Sequence, residues 1–257
     1  MAYPQLDLTG KTAVVIGGTS GIGLALTRAL ALAGADVAPT ARRSKEVEAA
    51  AEEVRKAGRR SLAISSDVTD AVSMEKVLAA AKKEFGGVDI LVNCAGRTKR
   101  TPTLEVSDEE WNGIMETNLT GMMRACRIFG RHMIERRWGR IINIGSLSSF
   151  VGLHEVAAYV ASKAAVLGLT KALAIEWAKF GVCVNCIAPG VFRTPLNTGL
   201  LDSDRGREFL VRTPMGRFGK VEELGGAAVF LASDAASFVT GTAIIVDGGF
   251  LASGVNQ

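Results

Sequence analysis

Cysteine and histidine are scarce in this sequence, and their scarcity excludes two ways of stabilising a fold. Four cysteines in 257 residues are too few for a disulfide framework. Cys183 and Cys186 have the spacing of half a zinc site, but they lie in an alternating apolar run that predicts a strand, where their side chains would point to opposite faces. With only His132 and His154 available as imidazole ligands, we expect buried thiols and no metal site.

Charge of one sign and long hydrophobic runs are also missing. The 30 basic residues exceed the 26 acidic residues only enough for a net charge of +4, and they are dispersed, which argues against dedicated nucleic-acid binding. The first residues lack a basic cluster followed by an apolar segment, and the longest uncharged stretch is interrupted by the glycines of Gly17 to Gly23. We therefore expect no membrane span and a cytoplasmic protein.

What the sequence does contain is a regular alternation of short apolar runs with longer helical segments. Hydrophobic residues make up 48% of the chain, and only 6 residues are proline, so a large core can form. We find no linker or internal repeat. The alternation predicts a single α/β domain over residues 1–257, a Rossmann fold with a doubly wound, seven-stranded parallel sheet and helices on both faces.

The positions of these elements follow from the same pattern. The predicted strands lie near Thr12–Gly17, Asp36–Ala41, Arg60–Ser65, Val88–Asn93, Arg140–Gly145, Val182–Ile187 and Thr242–Val246. The first predicted helix follows Gly21, and the others cover Ser44–Ala57, Ala71–Phe85, Asn118–Arg137 and Tyr159–Phe180. Residues 191–220 depart from the pattern, because they are polar, rich in arginine and carry Pro195 and Pro214. In such sheets ligands bind beyond the carboxyl ends of the strands, so we expect this segment to form a substrate lid.

A glycine-rich turn connects the first predicted strand to the first predicted helix. Gly17, Gly21 and Gly23 permit a tight turn and let the backbone approach a pyrophosphate that faces the amides of a helix N-terminus. The position of the turn within the alternation therefore predicts a dinucleotide site.

The GxxxGxG spacing of this turn, together with further motifs, resembles the short-chain dehydrogenase/reductase family. The further motifs are Asp67 after the third strand, NCAG at Asn93 to Gly96, Asn118 in ETNLTG, Ser146 in INIGS, Tyr159 and Lys163 in YVASK, and Pro189-Gly190 followed by Thr194. They occur in family order across nearly the whole chain. Three positions depart from the family pattern: Ile16 before the turn, Cys94 within NCAG and Gly145 before Ser146. These departures leave local hydrogen bonds open and remove no catalytic group.

The end of the second strand predicts which nicotinamide cofactor is bound. It carries Arg42 and Arg43 and no carboxylate, and arginine accommodates the 2'-phosphate of NADP. Since each charge-assisted bond contributes about 1.5 to 3 kcal/mol, two arginines would favour NADP(H) over NAD(H) by roughly a hundredfold or more, with NAD(H) still possible. The alternative for Arg43, and to a lesser degree for Arg42, is a solvated loop residue. The resemblance implies these further cofactor contacts: Gly17, Thr19, Ser20, Gly21, Ile22, Gly23, Asp67, Val68, Asn93, Ala95, Gly96, Tyr159, Lys163, Pro189, Gly190, Phe192 and Thr194.

Tyr159 and Lys163 are four residues apart on a predicted helix and therefore lie on one face. An ammonium about 4 Å from a phenolate stabilises it by roughly 4 kcal/mol at an effective dielectric near 20, so the tyrosine can exchange a proton near neutral pH. In the family that the sequence resembles, the serine at Ser146 holds the substrate oxygen, the lysine also holds the nicotinamide ribose, and the asparagine at Asn118 supports a water relay. The resemblance thus implies reversible hydride transfer between the nicotinamide and a carbonyl or secondary alcohol.

The substrate is indicated by a basic loop after NCAG and by the lid sequence. Arg97, Lys99 and Arg100 followed by a proline, together with TPLN and RTPMGR, look like the gluconate 5-dehydrogenase and 2-dehydro-3-deoxygluconate dehydrogenase branch. Arg100 would clamp a sugar-acid carboxylate. The predicted substrate contacts are Arg100, Ser146, Ser148, His154 and Tyr159.

Several alternatives remain open at this point. The basic loop residues are also explained as solvated charges, or as contacts to the acidic carrier protein of a 3-oxoacyl reductase, which shares most of these motifs. Another ketone, sugar or steroid-like alcohol is a further possibility. A dinucleotide-binding regulator without turnover is a different class of hypothesis, although it would not need all four catalytic positions. The long helices and the C-terminal VDGGF resemble the family's association surfaces, which implies a homotetramer or else a dimer, and we place His132 on a surface or interface face.

Overall fold

A parallel sheet of six strands forms the centre of the computed structural model, which describes residues 3–194 and 197–254. The strands are β1 (Thr12–Ile16), β2 (Asp36–Thr40), β3 (Ile90–Asn93), β4 (Gly139–Ile144), β5 (Val182–Pro189) and β6 (Ala243–Val246). Their order in the sheet is β2-β1-β3-β4-β5-β6, and every neighbouring pair is parallel. The predicted doubly wound architecture is therefore confirmed.

Helices connect the strands and cover both faces of the sheet. They are α1 (Gly21–Leu32), α2 (Ser44–Lys56), α3 (Ala71–Phe85), α4 (Asp108–Met115), α5 (Gly121–Arg136), α6 (Ala157–Trp177), α7 (Thr198–Leu201), α8 (Asp204–Val211) and α9 (Gly225–Ala232). One buried cluster joins the sheet to α1 and α9 through Leu26 and Leu231. A second cluster on the other face joins it to α3, α5 and α6 through Val77, Phe129 and Val166. Burial of apolar side chains on both faces explains why the strands read as continuous hydrophobic runs.

The third of the seven predicted strands, at Arg60–Ser65, differs from the structure, in which this segment runs beside β2 without forming a regular strand. Hydrogen bonds join the two at their ends, from Val37 N to Arg60 O at 3.1 Å and from Ser66 N to Ala41 O at 2.9 Å. Pro39 lies between these bonds in β2 and has no N–H to donate toward the segment. The missing donor interrupts the ladder, because proline belongs at sheet edges rather than between paired strands.

Helix α6 is the one described helix that is long and apolar enough, with its final 3-10 turn, to cross a membrane by length and composition. It packs against β5. The ammonium of Lys163, near the start of the helix, donates a hydrogen bond to the backbone oxygen of Ile144 at the end of β4, at 2.7 Å. These contacts make α6 part of the helical layer on the sheet.

His132 on α5 is buried, and its predicted place on a surface or interface face is wrong. Its Nε2 accepts a hydrogen bond from the backbone N–H of Val88 at 3.1 Å, so the imidazole is neutral in this arrangement. Burial lowers the pKa of His132, and the charges of Arg136 and Lys82 lower it further, against smaller opposing effects of nearby carboxylates. The residue therefore joins α5 to the chain entering β3.

This arrangement predicts a loss of stability in acid. The unfolded chain takes up a proton on His132 near its ordinary pKa of about 6.5, whereas the folded protein takes it up only at lower pH. Stability should thus fall as pH drops below about 6.5. We expect His132→Gln, whose amide oxygen can accept from Val88, to lose less free energy of unfolding than the wild type between pH 7.5 and 5.5 in urea titrations. His154→Gln is the control, because the His154 side chain is exposed, and equal pH slopes for wild type and His132→Gln would contradict the prediction.

Candidate active site

The glycine turn between β1 and α1 is closed by direct backbone contacts. Gly17 has a φ of +79° and donates its N–H to Thr40 O at 2.7 Å. A Cβ on Gly17 would lie 2.7 Å from Ala95 N, and one on Gly23 would lie 2.0 Å from Gly17 O. Neither position has room for a side chain, so backbone atoms alone line the turn at these two glycines, beside the N-terminus of α1. This cradle fits the pyrophosphate of a dinucleotide.

Substitution of Gly17 tests this cradle. Gly17→Ala should lower the free energy of unfolding by about 1 to 3 kcal/mol more than Gly58→Ala, because only the first places a methyl group against another backbone segment. Gly58 is a matched control, since it also has a positive φ, of +78°, and has open space around its Cα. Urea unfolding of both variants measures the difference in the free energy of unfolding. Equal losses in the two variants would show that the close approach of Gly17 to Ala95 does not contribute to stability.

The carboxyl ends of the other strands bring further predicted residues to this turn. A Cβ on Gly21 would lie 3.4 Å from the Thr194 side chain, so the chain leaving β5 reaches the N-terminus of α1. A Cβ on Gly96, in the NCAG segment after β3, would lie 3.5 Å from Asn118 Oδ1 and 3.8 Å from Lys163 Nζ. The structure thus places the predicted cofactor residues of β1, β3 and β5 along one edge, next to two of the predicted catalytic residues.

The two arginines after β2 differ in their surroundings. Arg43 forms an ion pair with Glu46 in the first turn of α2. Arg42 is exposed, and its charge acts on Asp67, whose pKa is lowered chiefly by hydrogen bonds from Thr69 and also by Arg42. The Asp67 carboxylate accepts from Thr69 N at 2.9 Å and Thr69 Oγ1 at 2.8 Å. Of the two guanidiniums, the one of Arg42 is therefore more available to a phosphate.

Asn118 lies in a π-helical turn, Glu116–Thr120, that joins α4 to α5. Its side chain is buried and forms hydrogen bonds to both backbone groups of Arg97, accepting from N at 2.8 Å and donating to O at 2.9 Å. It also donates to Ser162 Oγ at 3.1 Å. Single π-helical turns inside α-helices are frequent at functional sites. Here the turn fixes the loop after NCAG against the start of α6.

Tyr159 and Lys163 lie on one face of the first turns of α6, as their spacing predicts. The Lys163 ammonium is 5.7 Å from the centre of the Tyr159 ring. The lysine is buried, whereas the tyrosine is partly exposed. The hydrogen bond from Lys163 to Ile144 O holds the ammonium in place. A fixed cation beside a phenol is the arrangement required for proton exchange by the tyrosine.

Ser146 lies two residues after β4 and caps a short 3-10 turn, Leu147–Ser149. Its Oγ accepts from the backbone N–H of Ser148, which is buried, at 3.1 Å. Ser149, which sequence reasoning missed, accepts from Ser146 N at 3.2 Å and donates to Lys163 O at 2.7 Å. Ser149 therefore links the backbones of two predicted catalytic residues. The only sequence signal for it is its position three residues after Ser146.

The contacts of Ser149 explain why glycine precedes Ser146. A Cβ on Gly145 would lie 2.8 Å from Cys186 Sγ and 3.0 Å from Ser149 Oγ, so a larger residue would displace both. Burial raises the pKa of the Cys186 thiol, and likewise that of Cys94, to about 11. Both thiols are protonated at neutral pH and pack as small apolar groups.

The basic loop after NCAG is paired with nearby carboxylates. Lys99 contacts Glu110 at 2.5 Å, and Arg100 forms an ion pair with Glu155. Thr101 N also donates to Glu155 O at 2.8 Å, which ties this loop to the segment before α6. His154, in the same segment, is exposed, with its Nδ1 3.5 Å from the Glu155 carboxylate. The predicted substrate contacts Arg100 and His154 therefore lie on either side of the same carboxylate, that of Glu155.

The two ends of the predicted lid segment, residues 191–220, lie side by side. Phe192 is buried and pairs with Gly219, whose N–H donates to Val191 O at 2.9 Å. Helices α7 and α8 lie between these ends. Pro195 and Leu196, which belong to the TPLN element, lie outside the described residues.

Comparisons with known proteins give similarity over almost the whole chain. The family model described as "Enoyl-(Acyl carrier protein) reductase" matches residues 16–251. The gluconate 5-dehydrogenase of Gluconobacter oxydans (strain 621H) is 39% identical over 255 residues, which are 98% of this chain and 100% of that protein. A 3-oxoacyl-[acyl-carrier-protein] reductase of Escherichia coli (strain K12) is 40% identical over 244 residues, 95% and 98% of the two chains. The crystal structure of a gluconate 5-dehydrogenase from Burkholderia cenocepacia J2315, in complex with NADP and tartrate, has a TM-score of 0.93 at 38% identity and covers 97% of this chain and 98% of that one.

Proposed function

The chain belongs to the short-chain dehydrogenase/reductase family, and we propose that it interconverts a keto sugar acid and the corresponding hydroxy acid with NADP(H), as a gluconate 5-dehydrogenase does. It is an oxidoreductase that acts on CH–OH groups with NAD or NADP. The observation that carries the proposal is the convergence of Asn118, Tyr159 and Lys163 beside the glycine cradle. Similarity to a gluconate 5-dehydrogenase over 98% of the chain supports the choice of substrate class.

Each catalytic residue has a role that its surroundings support. Ser146, two residues after β4, holds the substrate oxygen, while Tyr159 donates or accepts the proton at that oxygen. Lys163 stabilises the phenolate and holds the nicotinamide ribose. Asn118 fixes the loop after NCAG and supports a water relay behind Lys163. When bound, the nicotinamide supplies or accepts the hydride, and the protein supplies position and proton transfer.

The cofactor is NADP(H) by preference in this proposal. Arg42 binds the 2'-phosphate, Asp67 and Val68 contact the adenine, and the glycine cradle holds the pyrophosphate. Thr194 binds the nicotinamide carboxamide, consistent with its position next to the N-terminus of α1. Solved structures of similar proteins contain bound NADP, which supports the preference.

The remaining features of the proposal concern substrate access and assembly. Arg100, Ser148 and His154 are the proposed substrate contacts beside Ser146 and Tyr159, and residues 191–220 cover the cleft as a lid. We propose a single domain that works in the cytoplasm as a homotetramer, and light scattering would distinguish a tetramer from a dimer.

Reduction of a 3-oxoacyl thioester is the second candidate function, because a 3-oxoacyl-[acyl-carrier-protein] reductase is 40% identical over 95% of this chain. Initial rates of NADPH oxidation with 5-ketogluconate and with an acetoacetyl thioester separate the two. Activity on the keto acid supports the proposal, and activity on the thioester alone overturns it. Repeating both assays with NADH tests the cofactor preference independently of the substrate.

A further inference from the structure

A cavity of about 660 Å³ lies beside the segment that joins Ser146 to Tyr159. Its walls come from that segment, from α8 in the lid and from the chain after β6. The wall residues that matter here are His154, Arg205, Glu208, Phe209, Arg212 and Phe250. The cavity thus combines two aromatic rings with several charged groups, and it lies next to the segment between Ser146 and Tyr159.

The arginines of this cavity differ in whether a carboxylate pairs with them. Arg212 and Glu208 form an ion pair with each other at 3.0 Å, one helical turn apart on α8. Arg205 instead donates from Nη2 to the backbone oxygen of His154 at 2.8 Å. Among the ion pairs found in residues 3–194 and 197–254, none includes Arg205. Among the cations that the structure describes in the cavity wall, the Arg205 guanidinium is therefore the one with no carboxylate in contact with it.

A second guanidinium lies close enough to affect Arg205. Arg100 pairs with Glu155, the residue after His154, and its positive charge acts on Arg205. Burial lowers the pKa of Arg205, and the charge of Arg100 lowers it further, against the smaller opposing effects of Glu155 and Glu208. Like charges that converge at a partly buried wall repel each other, and a bound anion would relieve that repulsion.

We propose that Arg205 binds the carboxylate of the substrate and selects for an acid over a neutral sugar. The proposal rests on the function proposed above. It moves the carboxylate contact from Arg100, which already pairs with Glu155, to Arg205, which the sequence motifs do not indicate. The carboxylate and the reacting carbonyl lie at opposite ends of a keto sugar acid, so the anchor belongs away from Tyr159. Arg205 meets this requirement, because it contacts the segment between Ser146 and Tyr159 from the lid side. The planar guanidinium matches a carboxylate with two parallel hydrogen bonds.

The test compares Arg205→Met and Arg205→Lys with Arg207→Met. Arg207 is a matched control on the same helix, because it is exposed, pairs with Asp204 and does not line the cavity. We expect Arg205→Met to lower kcat/KM for 5-ketogluconate about tenfold or more, mainly through KM, and to weaken inhibition by gluconate similarly. Arg205→Lys should recover part of the loss, since it keeps the charge without the fork. Arg207→Met should stay within about twofold of the wild type.

The outcomes separate this proposal from the proposed function. A wild type that reduces 5-ketogluconate, with Arg205→Met unchanged or altered in kcat alone, overturns the anchor and leaves the function standing. A wild type that reduces only the thioester overturns the proposed function. If gluconate inhibition still depends on Arg205 in that case, the anion site at Arg205 is supported by itself. If gluconate inhibition does not depend on Arg205, both the proposed function and the anion site are overturned. Binding of NADPH, followed by its fluorescence, should be the same in all variants, and a parallel loss there would show that the substitution acts on the fold.

Discussion

Tyr159→Phe is expected to lower kcat by about a hundredfold to ten-thousandfold while NADPH binds with unchanged affinity. The substitution removes one hydroxyl and keeps the ring, so the packing of α6 is preserved. Lys163 keeps its bond to Ile144 O, because that bond does not involve the tyrosine. The loss therefore reports proton transfer at the substrate oxygen alone. Single-turnover rates and fluorescence titration of NADPH measure the two quantities on the same protein.

The chain provides its own control for this substitution. It contains two tyrosines, and Tyr3 is exposed near the N-terminus, where its hydroxyl bonds only locally to Gln5. Tyr3→Phe should leave kcat unchanged. A Tyr159→Phe protein that turned over at the wild-type rate would assign proton transfer to another group. A wild type without turnover on any ketone would instead favour the dinucleotide-binding regulator, for which Tyr159 has no chemical task.

The sequence predicted the parts of this molecule that depend on local pattern. Apolar runs located the six strands, and the four-residue spacing placed Tyr159 and Lys163 on one face of α6. The glycine spacing predicted a turn without room for side chains, as Gly17 and Gly23 show. These features follow from periodicity and backbone sterics, which neighbouring residues determine.

The features that were missed depend on contacts between distant segments. Pro39 interrupts pairing with a segment more than twenty residues later, as the bonds on either side of it show. His132 is buried, and its imidazole accepts a hydrogen bond from Val88 in the chain that enters β3. Ser149 and Arg205 have no motif of their own, and their roles depend on which carbonyl each side chain meets. Tertiary hydrogen bonds of this kind leave no periodic signal in the chain.

Arg42→Ala is expected to reduce the preference for NADPH over NADH by about tenfold to a hundredfold. The loss of one charge-assisted bond to phosphate costs about 1.5 to 3 kcal/mol, and each 1.4 kcal/mol corresponds to a tenfold change. NADH lacks the 2'-phosphate, so its KM should change little. Removal of Arg42 also removes a charge that acts on Asp67, but hydrogen bonds from Thr69 are the main influence on that carboxylate. The ratio of kcat/KM values for the two cofactors measures the preference.

Arg43→Ala separates the contact from the general positive charge of this loop. Both substitutions remove one positive charge beside the same strand end, but Arg43 already pairs with Glu46 on α2. If a direct contact to the 2'-phosphate sets the preference, Arg43→Ala should change it by less than about threefold, in the range of an exposed ion pair. Equal effects of the two substitutions would mean that the loop attracts the phosphate through its summed charge. In that case the preference for NADPH over NADH should decline steeply with added salt in both variant proteins, because salt screens exposed charges.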